Sequence, residues 1–178
     1  MPAAQGSHQR RKRGRKALAA TVFVFLGRGL VAAARHDARV RAEVASWPDG
    51  SLIAIAVAPD GPRVSWRFAD GCLTCLGGAE TSRRADLLVT FKSVDVALPV
   101  LLGLKGMLQA FAEHRSTLAG DIGFGMSLVR CLHIVEGYLF PDLMNVRILP
   151  SKARREVGRL RVYAALVSAS AAVGDETP

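Results

Sequence analysis

From Ala17 to Ala34 the chain is almost wholly apolar, ALAATVFVFLGRGLVAAA, interrupted only at Gly27-Arg28-Gly29. The apolar run before Gly27 is far shorter than the roughly 20 residues that span a bilayer. Three readings are open for it. A basic start, an apolar middle and Ala32-Ala33-Ala34 fit a signal peptide, and a membrane anchor is the second. Arg28, and the helical continuation through Arg35-His36-Asp37, favour the third: an interfacial or domain-packed helix. A further helix is expected over 36–46, with Asp37 as its cap and Val40 and Val44 facing the core one turn apart. Trp47-Pro48-Asp49-Gly50 then stops it.

The period changes from helical to alternating after Gly50. Residues 51–58, 63–69 and 72–76 read as three strands, separated by Pro59-Asp60-Gly61-Pro62 and by the hairpin signal Asp70-Gly71. In the second, Val64, Trp66 and Phe68 fall on one face and Arg63, Ser65 and Arg67 on the other. A polar loop leads to a fourth strand at 86–92. Ser93 and Asp95 open a helix in which Pro99 should fall early, where a missing N–H costs least. A second helix over 105–114 carries Leu104, Met107, Leu108 and Phe111 at helical spacing. A fifth strand is expected at 116–121 and a long helix at 123–139, in which Phe124, Leu128, Cys131, Leu132, Val135 and Leu139 repeat at helical spacing. Residues 151–173 read as a further helix, basic first and apolar later.

Charge changes the picture only at the ends. Of the net +9, residues 10–16 supply six positive charges, and residues 147–161 supply six more against Glu156. With Asp175 and Glu176 counted, residues 17–146 are neutral. Beside apolar helices such tails favour an anionic membrane surface, each Lys or Arg adding about 1 kcal/mol. A solvated, disordered tail is the plain alternative for residues 1–16. Aromatic residues make up 6% of the chain, too few for the stacking platforms of single-strand nucleic-acid binders, so nucleic acid is not an expected partner.

Little of the chain is chemically reactive. Cys72-Leu73-Thr74-Cys75 is a C-x-x-C, but a four-thiolate zinc site needs a second pair and Cys131 stands alone. Within a strand, positions 72 and 75 point to opposite faces, which does not suit a redox pair either. His8, His36, His114 and His133 show no metal-ligand spacing. Glu113-His114 and Asp121 lack a marked nucleophile, and Asp121 is expected to cap the last helix. Gly120, Gly123 and Gly125 lack the spacing and the Lys of a phosphate loop. No cofactor or metal is expected, and no enzymatic activity. Three cysteines argue against a secreted disulfide scaffold, so a cytoplasmic location, peripheral to the membrane, is expected.

The order of these elements, with Ala85-Asp86 opening a strand, Gly103 after a helix, Ala110-Phe111, and Gly120-Asp121 followed by Ile122-Gly123-Phe124-Gly125-Met126-Ser127-Leu128, resembles the sterol carrier protein 2 (SCP-2-like) lipid-binding family over roughly residues 40–140. The resemblance implies an α+β fold. Its mostly antiparallel sheet of about five strands is covered on one face by helices, with extra N- and C-terminal helices in this chain. The chain departs from the family at both ends, so the expected organisation is a disordered basic tail at 1–16, an apolar helix or helices at 17–46, the domain at 47–141, and a basic-then-apolar helix with a short tail at 142–178. The resemblance further implies a hydrophobic tunnel for an acyl, sterol-like or isoprenoid chain, lined by Leu102, Leu104, Met107, Phe111, Phe124, Met126 and Leu128. Methionine suits a lining that adapts to varied chains. The expected function is non-enzymatic lipid binding or transport, with docking at an anionic membrane through the basic ends. The alternatives are a structural or interaction protein with a protein partner, or an accessory factor presenting a polyprenyl quinone precursor to partner enzymes. Asp175-Glu176-Thr177-Pro178 does not match the family's peroxisomal ending, so that import route is not expected. The Ala- and Arg-rich composition fits a GC-rich bacterium.

Overall fold

A computed structural model describes residues 3–78 and 84–139, with side chains described from residue 12 onward. The elements are α1 (Ala3–His36), α2 (Ala38–Val44), β1 (Leu52–Val57), β2 (Arg63–Ala69), β3 (Cys72–Gly77), β4 (Leu87–Phe91), α3 (Val94–Leu101), α4 (Met107–Ala112), β5 (Ser116–Ala119) and α5 (Ile122–Leu139). The strands form one sheet in the order β3-β2-β1-β4-β5. Its pairings are antiparallel except β1 with β4. The sheet is therefore mixed and mostly antiparallel, as expected.

Alternation decides which face is buried. Ile53 lies opposite Trp66 and Leu87, Ile55 opposite Val64 and Val89, and Phe68 opposite Leu73. All are buried and belong to one core cluster, which also takes in Phe23, Leu26 and Leu30 of α1, Leu101 of α3 and Leu128 of α5. The β2–β3 turn has Asp70 at φ 52° and Gly71 at φ 71°. Two consecutive positive φ values match the right-handed twist of the flanking strands, which explains the Asp-Gly pair.

The N-terminal expectation needs correcting. Residues 1–16 were expected to be a disordered tail, yet α1 is helical from Ala3. Residues 3–16 contain no proline and are rich in Ala, Gln, Arg and Lys, all good helix formers. A helix nucleated by the buried stretch that follows extends into them at little cost. The stretch from Lys12 to His36 is long and apolar enough to cross a membrane, but half of it is buried against the rest of the protein. Residues 17–44 lie in two helices, divided at Asp37. Pro99 also falls later than expected, sixth in the eight-residue α3, where it has no N–H to donate to the carbonyl of Asp95 one turn before. The C-terminal helix and tail expected at 142–178, and residues 140–141 of the domain, lie outside the described residues.

Asp37 does more than cap. Its buried carboxylate accepts from Arg39 N at 2.8 Å and Val40 N at 3.3 Å, from Arg39 Nη2 at 2.8 Å and from Tyr138 Oη at 2.6 Å. Burial alone would raise its pKa, but the bonds from Arg39 and Tyr138 outweigh it and hold the carboxyl below its ordinary value. The α1–α2 corner is thereby tied to the end of α5.

Glu136 on α5 is the opposite case. Burial pushes its carboxyl up to about 8 from an ordinary 4.5, with His133 Nδ1 3.8 Å away. Between those values the folded state holds a proton that the unfolded state has lost, so this group's contribution falls as pH rises through that window. Glu136→Gln should match the parent near pH 4.5 and exceed its stability by roughly 2–4 kcal/mol above pH 8. Urea midpoints at the two pH values check this; an equal difference at both would show that Glu136 is ionised in the fold.

Candidate functional site

The site is built by the way α1 seats on the sheet. Gly27 meets β2 and β3 so closely that a Cβ there would lie 2.8 Å from Val64 Cγ2 and 3.0 Å from Cys75 Sγ. The Trp66 indole donates its Nε1–H to the Gly27 carbonyl at 2.9 Å. Across the same helix, a Cβ on Gly29 would lie 3.0 Å from Val135 Cγ1 of α5. The two glycines let α1 wedge between the sheet and α5. The flank of α1 turned towards β3 is left beside a groove of about 950 Å³.

The groove runs between α1, the turn before β2 at Gly61-Pro62, and β3. Val24, Arg28, Val31 and Arg35 form one stripe of α1 along it, at the spacing of a single helical face. Phe23, Ala32 and Val64 are its buried apolar parts, and Arg35, His36, Arg63 and Thr74 are exposed. Its volume lies within the usual range for small-molecule and lipid pockets, roughly 300–1,000 Å³.

The seven residues expected to line a tunnel lie elsewhere, and none borders this groove. Met107 and Leu128 are buried in the core cluster, with Phe111 and Phe124 half-buried against it. Phe124 packs edge-on to Trp47 at a centroid distance of 5.3 Å. Leu102 and Met126 are half-buried, and Leu104 is exposed. Sequence reasoning missed the α1 stripe, although Arg28 inside an apolar run was a visible signal of it.

Cys72 is exposed, and Cys75 borders the groove half-buried. Burial pushes the Cys75 thiol up and that of Cys131 to about 12, which keeps both protonated at neutral pH. Asp121 Oδ1 accepts from Phe124 N at 2.8 Å, as a cap should. His133 is exposed. Glu43 of α2 binds Arg130 Nε at 2.6 Å and Ser127 Oγ at 2.8 Å, and Trp47 Nε1 donates to the same hydroxyl. That network clamps α2 to α5. Among the described residues no group of three or more His, Cys, Asp or Glu could hold a metal ion.

The fold defines an α+β protein with a helical layer on a mixed five-stranded sheet. Its structure is similar to that of a ubiquinone synthesis protein, UbiJ-SCP2, at 17% identity and TM-score 0.46, covering 67% of this chain and 96% of that one. It is also similar to a sterol carrier protein 2 at 16% identity and TM-score 0.47, covering 63% and 93%. A third is the apo form of sterol carrier protein 2 from Yarrowia lipolytica, at 15% identity and TM-score 0.45, covering 66% and 91%. No family model and no curated protein matches the chain. At these identities and TM-scores, nothing about ligand or residue role passes from those proteins to this one.

Proposed function

We propose that this chain binds a lipid through its hydrocarbon chain, without chemistry, in the groove between α1 and β3. The observation that carries the reading is the groove itself: about 950 Å³, bordered by apolar residues of α1 and β2. Each methylene buried there gains roughly 0.8 kcal/mol. The motifs of residues 85–128 imply the same class of ligand by resemblance.

Docking on an anionic membrane belongs to the same proposal. Lys12, Arg13, Arg15 and Lys16 are exposed in the N-terminal half of α1, and Leu18 and Phe25, two turns apart on that helix, are also exposed. Such a helix can lay its apolar residues into a membrane while its cations meet the head groups. One experiment tests both parts. Full-length protein is sedimented with vesicles containing anionic lipid, released by salt, and weighed by native mass spectrometry. Salt release follows from screening over about 10 Å at 0.1 M, and the released protein should carry the added mass of one lipid. Sedimentation with neutral vesicles alike and a bare protein mass would contradict both parts.

A further inference from the structure

The groove carries positive charge where a site for a neutral sterol or hydrocarbon would need none. Its border includes Arg28, Arg35 and Arg63 and, among the described residues, no Asp or Glu. Arg28 is the informative one. It is half-buried and stands between Val24 and Val31 on the stripe that α1 turns to the groove. Helix α1 contains no acidic residue from end to end. Among the described residues neither Arg28 nor Arg35 forms an ion pair, whereas Arg15, Arg39, Arg115 and Arg130 all do. The Cys75 thiol is close enough to feel the Arg28 charge, but burial keeps that thiol protonated. It therefore supplies no counter-charge.

A guanidinium partly removed from water costs free energy unless an anion meets it. Its planar fork is suited to two parallel bonds with a carboxylate or phosphate. Arg28 and Arg35 lie two turns apart, about 10 Å along the helix axis, so one can hold a head group inside the groove and the other draw it in from the rim. Resting on the lipid-binding reading above, we infer that the groove selects an anionic amphiphile, with Arg28 and Arg35 holding a carboxylate or phosphate head while the chain lies along Phe23, Val31 and Val64.

The test uses full-length protein loaded with an uncharged fluorescent lipid probe, displaced by dodecanoate, dodecyl phosphate or dodecanol. The three share one chain and differ only in the head. The two anions should displace the probe at a concentration roughly tenfold or more below that of dodecanol, the worth of one charge-assisted contact. Whichever anion is stronger tells a fatty acid from a phosphate-headed lipid. Arg28→Gln should collapse that ratio towards one while leaving dodecanol unchanged. Arg35→Gln, at an exposed position, should reduce it too and keeps the test open should Arg28→Gln fail to fold. Equal displacement by all three, unmoved by either substitution, would overturn the head-group inference and leave the lipid site standing. Failure of the probe and of every competitor to bind would overturn the lipid reading as well.

Discussion

Placing two indoles in the groove, Ala20→Trp with Val31→Trp, should abolish uptake of a fluorescent fatty acid while lowering the thermal midpoint by only about 2–4 °C. Ala20 is exposed and Val31 half-buried, and both border the groove. In a close-packed interior each added ring would cost about 1–3 kcal/mol through strain. Beside about 950 Å³ of space the rings have room to turn, and they divide the length along which a chain could lie. Met126→Trp is the control, because Met126 does not border the groove and uptake should survive it. Were the chain held instead among Phe111, Phe124 and Met126, as the family resemblance implies, the two results would exchange. Fluorescence titration of the variants, with melting curves beside them, reads both.

The largest loss of stability is expected from Trp66→Ala, about 3–5 kcal/mol by the general cost of emptying a buried aromatic site. Trp66 is fully buried at the centre of β2, opposite Ile53 on β1 and Cys75 on β3. Its indole also meets α1 from below, through the bond to the Gly27 carbonyl. Trp66→Phe keeps most of the ring and loses that bond, for about 1 kcal/mol. The two substitutions together separate packing from hydrogen bonding. Denaturant unfolding of each measures them, and a loss below about 1 kcal/mol for Trp66→Ala would mean that α1 does not rest on β2 as described.

The sheet was legible because its signals are local. The alternation of Val64, Trp66 and Phe68 placed three residues on the buried face, and all three are there. Asp70-Gly71 turned the hairpin, and Asp37 capped α2 through Arg39 N and Val40 N. The parallel pairing of β1 with β4 was not legible, since it joins segments about thirty residues apart and no short-range pattern records it. The groove was missed for a related reason. Helix α1 is apolar on most of its circumference, so periodicity alone could not say which stripe meets the sheet, which meets α5 and which borders open space. The contacts of Gly27 and Gly29 decide that, and they depend on partners far along the chain. Arg28 between those glycines favoured an interfacial or domain-packed helix in the sequence; in the fold it stands on the stripe of α1 that borders the groove. The helical start of α1 shows a converse limit, because composition alone does not report what a neighbouring buried helix can extend.

The central claim is that a lipid chain lies along α1 and β3. Cross-linking tests it most directly, using full-length protein and a fatty acid that carries a photoreactive diazirine at mid-chain, with the labelled residues mapped by peptide mass spectrometry. The account predicts label within residues 20–36 and 61–78, which hold the groove's border. Label confined to residues 102–128, or no more label than on the denatured protein, would contradict it.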